Sequence, residues 1–176
     1  MTTARGARPA RVAIALGSNL GNRQAHLAWA VDALRAHVRD LRVSPFVSTA
    51  PVDVPDPQPD YLNAVAVGRT ALSADALMRW LLELEAARGR VRTGPRSART
   101  LDLDLILYGD EVRHDAALTL PHPRYRERAF VLEPLAALAP RWRDPEQGMT
   151  LARLWRTRGL PGRGKAARTR ARGAPA

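Results

Sequence analysis

Residues 101–108, LDLDLILY, alternate leucine with aspartate and then turn wholly apolar, a pattern that a β-strand sorts onto two faces. Leu101, Leu103 and Leu105 fall on one face, Asp102 and Asp104 on the other. The two carboxylates then stand roughly 6.5 Å apart along the chain, like charges side by side in a segment rich enough in leucine and isoleucine to be buried. Any fold that takes up this segment needs an apolar core under one face and something that neutralises charge over the other.

The remaining segments set the order of elements around it. Arg11–Leu16, RVAIAL, reads as a short buried strand ended by GSNLGN, whose Gly17 and Gly21 suit a tight strand-to-helix turn. Asn22 is placed to cap a helix in which Leu27, Val31, Leu34 and Val38 recur at helical spacing. Residues 43–49, VSPFVST, form a second strand that Pro45 confines to an edge or a bulge. Residues 50–60 hold four prolines and read as a turn-rich loop, after which 61–68, YLNAVAVG, supply a third strand. Ser73 caps a second helix with Leu77, Leu81 and Leu84 on one stripe and Gly89 at its C-terminal cap. An arginine-rich loop leads into the aspartate strand, and RERAFVLEPLAALAP and TLARLWRT read as two further helices. The order β-α-β-β-α-β is the ferredoxin-like one, an α+β fold with both helices on one face of an antiparallel sheet. The C-terminal helices then close the other face or the end, giving a three-layer α/β/α sandwich. Such a fold hosts many chemistries and selects none.

The formal charge of +11 suggests nucleic acid until it is located. Residues 1–11 and 158–176 together hold nine basic side chains and no acid, leaving 19 basic against 17 acidic residues between them. The body is nearly neutral. Arginine outnumbers lysine 27 to 1, which reads as coding bias and not as a basic surface selected for binding. Residues 1–10 and 158–176 are therefore expected to be disordered tails flanking one domain over 11–157, a length that suits a single core. With no cysteine, disulfides and thiolate metal sites are excluded. No apolar run reaches a secretory core or the roughly 20 residues of a membrane span, so a cytoplasmic protein with no membrane partner is expected; a monomer is expected too, and the near-neutral body argues against a specific nucleic-acid partner.

For an arbitrary Asp-x-Asp a solvated sheet face is the simpler reading. Here Arg88, Arg90, Arg92, Arg96 and Arg99 lie immediately upstream, interrupted by Gly89, Gly94 and Pro95. Guanidinium groups match phosphate oxygens, and a pair of carboxylates suits Mg²⁺ shared with substrate phosphates. Neither GxxxxGK[ST] nor GxGxxG is present, so phosphoryl chemistry must rest on carboxylate-bound metal and arginine donors.

Five motifs in order, IALGSNLGNR, VSTAPV followed by QPDYLNAV, ELEAARGRVR, RTLDLDLILYGD and LPHPRYRERAFVLEPL, resemble those of the 6-hydroxymethyl-7,8-dihydropterin pyrophosphokinase family over residues 11–155. The resemblance implies transfer of pyrophosphate from ATP to the hydroxymethyl group of a reduced pterin in folate biosynthesis, with a pair of Mg²⁺ ions and ATP as co-substrate. It implies that Asp102 and Asp104 hold the metal pair and that Arg90 and Arg99 contact the reacting phosphates. Arg92 and Arg96 would guide ATP as part of a mobile lid, with Thr119, His122 and Arg128 also on the nucleotide. Thr49, Val52 and Asn63 would meet the pterin edge, and Tyr61 and Phe130 its ring faces. Without the motifs, His122 would be a surface-loop histidine, and Tyr61 and Phe130 ordinary core. Glu85 matches a motif acid and equally suits pairing with Arg88 or Arg92 on the helix surface. The chain departs from the family pattern in the lid, RTGPRSART, where Ser97 is nearest the usual tryptophan. Two nonenzymatic readings compete: a ferredoxin-like RNA-binding module and a small-ligand regulatory module. The first needs an aromatic pattern on its strands that this sequence lacks.

Overall fold

Both helix caps expected from sequence form: Asn22 accepts from the backbone N–H of Ala25, and Ser73 from that of Ala76. The computed structural model describes residues 8–51, 57–89 and 98–157. Its elements are β1 (Ala10–Ser18), α1 (Arg23–Leu34), β2 (Arg39–Val43), β3 (Val47–Thr49), β4 (Tyr61–Thr70), α2 (Ala74–Ala87), β5 (Asp102–Tyr108), β6 (Arg113–His114), β7 (Thr119–Leu120), α3 (Ala129–Leu138) and α4 (Leu151–Thr157). This is a mixed α+β architecture, with an antiparallel main sheet and, among the described residues, four helices. None of these is long and apolar enough to cross a membrane.

The main sheet runs β2-β4-β1-β5, with β3 also paired to β4. Leu101, Leu103 and Leu105 point into the core that α1 and α2 cover, together with Leu27, Leu34, Leu77 and Leu81. On the opposite face Ala13, Val65, Val67 and Ile106 pack against Val131, Leu132 and Leu135 of α3 and Leu151 and Leu154 of α4. The alternation of β5 therefore decides everything downstream. With its leucines committed to the α1/α2 side, Asp102 and Asp104 face the α3 side.

Four details differ from the sequence expectation. Residues 43–49 are not one strand: at the break before Pro45, Ser44 turns inward and its Oγ accepts from the Val65 N–H at 3.0 Å. Helix α1 stops at Leu34, so Val38 lies beyond it, buried against Gly68, where an added Cβ would come within 2.5 Å of Val38 Cγ1. Gly21 does make the strand-to-helix turn at φ 63°, but Gly17 belongs to β1 itself. The helix expected over 126–140 begins only at Ala129, and residues 121–128 are turns.

Those turns are held by one buried cluster. Asp144, fully buried, accepts from the Tyr125 hydroxyl, from Arg126 Nε at 2.5 Å and Nη2 at 2.9 Å, and from the N–H groups of Glu146 and Gln147. Burial pushes the Asp144 carboxyl up, but the bonds from Arg126 and Tyr125 outweigh it and hold the group below its ordinary value of 3.8.

Candidate active site

Small residues in the central strand open the site. Gly17 of β1 is opposite Asn63 of β4 on one side and Asp102 of β5 on the other, and Ala15 is opposite Asp104. Because Gly17 and Ala15 carry almost no side chain, a cavity of about 450 Å³ remains on the α3 face, with the Asn63 amide at one end and both carboxylates at the other. Of the residues expected from sequence, Thr49, Tyr61, Asn63, Arg99, Asp102, Asp104, Arg128 and Phe130 line it together.

At the amide end, Asn63 Nδ2 donates to Thr49 Oγ1 at 2.7 Å, which fixes the orientation of the amide. Tyr61 and Phe130 both line this cavity, and both are half-buried. Gly17 is the floor. A Cβ there would be 3.3 Å from Asn63 Oδ1 and 3.8 Å from Tyr61 Cδ1. Since Thr49 tethers Asn63, Gly17→Ala should crowd the floor of the cavity and cost about 1 kcal/mol of stability, as read by denaturant unfolding.

At the carboxylate end, Arg99 Nη1 donates to Asp102 Oδ1 at 2.8 Å, and Arg128 Nη1 to Asp104 Oδ2 at 3.3 Å. His122 Nε2 lies 3.9 Å from Asp104, and its ring is held below its ordinary pKa by burial, against the pull of Asp104. Asp104 is pushed up, first by burial and then by the charge of Asp102, with His122 and Arg128 opposing. The expected electrostatic conflict is therefore real. The simple solvated face is not what forms: the side chains of Asp102 and Asp104 are only 23% and 31% exposed.

Thr119 lies on β7, paired with His114, outside the cavity lining. Arg90, Arg92, Arg96, Val52 and the lid position Ser97 lie outside the described residues, as do the tail segments 1–7 and 158–176. Glu85 is not on the helix surface: it is 2% exposed, and its Oε1 accepts from the Leu103 N–H at 2.7 Å, between the two aspartates, while Arg92, one of its two expected partners, lies outside the described residues. Arg88 turns instead to His26 Nδ1 and stacks over Trp29. The sequence reading also passed over Arg124 and Glu127, which line the cavity beside Arg128. Their only signal was proximity in the run PHPRYRER.

The family model for 7,8-dihydro-6-hydroxymethylpterin-pyrophosphokinase matches residues 13–140. The chain is 41% identical over 143 residues to the 2-amino-4-hydroxy-6-hydroxymethyldihydropteridine pyrophosphokinase of Synechocystis sp., covering 80% of this chain and 72% of that protein. It is 40% identical over 138 residues to the protein of the same name from Pseudomonas aeruginosa, covering 77% and 85%. It is also 34% identical over 142 residues to the folic acid synthesis protein fol1 of Pneumocystis carinii, of which it spans 19%.

Proposed function

Because the chain belongs to the 7,8-dihydro-6-hydroxymethylpterin-pyrophosphokinase family, we propose that it transfers the pyrophosphoryl group of ATP to the hydroxymethyl group of 6-hydroxymethyl-7,8-dihydropterin, releasing AMP, in folate biosynthesis. The observation that carries this reading is the row Asn63–Gly17–Asp102 across three strands. It sets an oriented amide and a pair of carboxylates at opposite ends of one cavity.

The pterin lies between Tyr61 and Phe130 with its polar edge on Asn63 and Thr49, and its hydroxymethyl group directed toward the carboxylates. That group's oxygen attacks the β-phosphorus and gives up its proton to solvent, the bond from the β-phosphorus to the oxygen of the α-phosphate breaks, and AMP leaves. Two half-buried carboxylates with hard oxygen donors, facing a cavity and repelling each other, fit Mg²⁺. Among the described residues no group of three or more candidate ligands forms, so Asp102 and Asp104 would hold a metal pair whose other positions fall to phosphate and water. Bound magnesium supplies charge neutralisation and orientation of the triphosphate. Arg90 and Arg99 are assigned to the reacting phosphates, and Arg92, Arg96, Thr119, His122 and Arg128 to the nucleotide. Val52 is assigned to the pterin. A primary alcohol is a poor nucleophile and, among the described residues, the cavity lining offers no triad-like base, so alignment and charge stabilisation carry the rate.

The strand order β2-β4-β1-β5 with α1 and α2 on one face supports a ferredoxin-like core. The working unit is inferred to be residues 11–157, acting as a cytoplasmic monomer on small molecules. A shortened chain of residues 10–157 should then turn over at the full rate, and a large loss at moderate salt would place the terminal arginines in the reaction. The reaction itself is tested by incubating the protein with ATP, Mg²⁺ and the reduced pterin. AMP and pterin diphosphate should appear in equal amounts, and formation of ADP would overturn the reading.

A further inference from the structure

Asn19 follows the last residue of β1, is 1% exposed and is itself given no part in holding substrate. Its backbone N–H donates to the Arg99 carbonyl at 3.1 Å, and its Oδ1 accepts from the Arg99 N–H at 2.8 Å, so it grips both backbone groups of Arg99. Its Nδ2 donates in the other direction, to Gln58 Oε1 at 3.1 Å and to the Pro59 carbonyl at 3.4 Å. Arg99 carries the guanidinium that meets Asp102, and residues 58–60 lead directly into Tyr61 and Asn63. One buried amide therefore connects the backbone at the carboxylate end of the cavity with the backbone at the amide end.

We propose that Asn19 is a positioning residue for the transfer, setting the distance between the arginine at the phosphate end and the segment that presents the pterin-holding wall. This rests on the reading of the cavity given above. A side-chain amide suits the task because it offers an acceptor and two donors in one plane, so both bonded segments are set at a fixed angle. A residue with one bonding function would hold only one of them. Other ties keep the region folded without it: Arg23 Nη1 donates to the Asp60 carbonyl at 2.5 Å, and Thr100 Oγ1 to the Arg88 carbonyl at 2.8 Å.

The full chain is compared with Asn19→Ala, which removes every side-chain bond and leaves only the backbone N–H on the Arg99 carbonyl, and Asn19→Asp, which keeps the acceptor for the Arg99 N–H but loses the donors to Gln58 and Pro59. Asn19→Ala should lower kcat by roughly 10- to 100-fold, the scale of a misplacement of about 1 Å in a reacting geometry. Calorimetry should show that it weakens both the reduced pterin and a non-hydrolysable ATP analogue. Asn19→Asp should weaken the pterin as much as the alanine variant does, while returning the ATP-analogue affinity to within about twofold of the parent protein. If both variants keep kcat and both affinities within about twofold and only the unfolding midpoint falls, Asn19 is structural and the proposal is wrong. It is equally wrong if Asn19→Asp loses both affinities in parallel with the alanine variant. If the unmodified protein forms no AMP, the transfer reading fails, whereas the affinity pattern still decides the role of Asn19.

Discussion

Asp102→Asn and Asp104→Asn are each expected to lower turnover by about three orders of magnitude, equal to about 4 kcal/mol of transition-state stabilisation, and to leave the protein folded. Asparagine keeps the size of the side chain and removes the charge that a divalent cation needs. The two variants should differ in stability. Asp104 is half-buried and repelled by Asp102, and the 3.3 Å contact to Arg128 and the 3.9 Å approach of His122 do not offset this, so Asp104→Asn relieves a conflict and should leave the ligand-free protein as stable or more stable. Asp102 carries a 2.8 Å ion pair with Arg99, so Asp102→Asn should cost about 1 kcal/mol. Turnover assays and thermal unfolding on the same preparations check both halves. Either variant releasing AMP at near the parent rate would remove Asp102 and Asp104 from the reaction.

The largest effect on stability is expected away from the cavity lining. Asp144→Ala leaves the Tyr125 hydroxyl, the Arg126 guanidinium and two backbone N–H groups without their shared acceptor in a buried place, and should cost about 3–5 kcal/mol. For a chain of this length that is a fall of roughly 10–15 °C in the unfolding midpoint. The same cluster has a pH signature. Because the folded-state pKa of Asp144 is held below its ordinary value of 3.8, the carboxylate contributes stability that is fully present above that value and is lost as the pH falls through the folded one. Asp144→Asn should therefore be less stable than the parent at neutral pH, with a gap that narrows below about pH 4. Denaturant unfolding across that window gives the answer, and a constant gap would mean that Asp144 does not titrate with unfolding. The cluster also holds residues 121–128, which carry His122 and Arg128, so loss of Asp144 should reduce turnover as well.

Features that depend on near neighbours in sequence were legible. Asn22, Ser73 and Gly89 act within one helical turn, and the facing of Asp102 and Asp104 follows from strand period alone. The amide, hydroxyl and aromatic residues proposed to hold the pterin came from motif resemblance, and Asn63, Thr49, Tyr61 and Phe130 do line one cavity. What sequence hid are contacts whose partners are far apart along the chain. Glu85 has Arg88 at helical spacing, which suggests a surface pair, yet its bond is to Leu103, 18 residues on. Asn19 reaches Arg99 across 80 positions, and Tyr125 reaches Asp144 across 19. The split of residues 43–49 was half legible. Pro45 predicted an irregularity, but only the bond from Val65 to Ser44 Oγ shows that the strand breaks in two.

Two carboxylates on one face of β5 are tolerable when divalent cations and a triphosphate take up their charge. Electron paramagnetic resonance with Mn²⁺ in place of Mg²⁺ measures this directly, by counting bound ions per chain with and without a non-hydrolysable ATP analogue. With the nucleotide present, the full chain should bind a pair of ions, Asp104→Asn should bind fewer, and without nucleotide occupancy should be weak, since phosphate oxygens must complete the coordination. An unchanged count in Asp104→Asn, or tight binding of ions that ignores the nucleotide, would contradict the claim that Asp102 and Asp104 exist to share metal with a triphosphate.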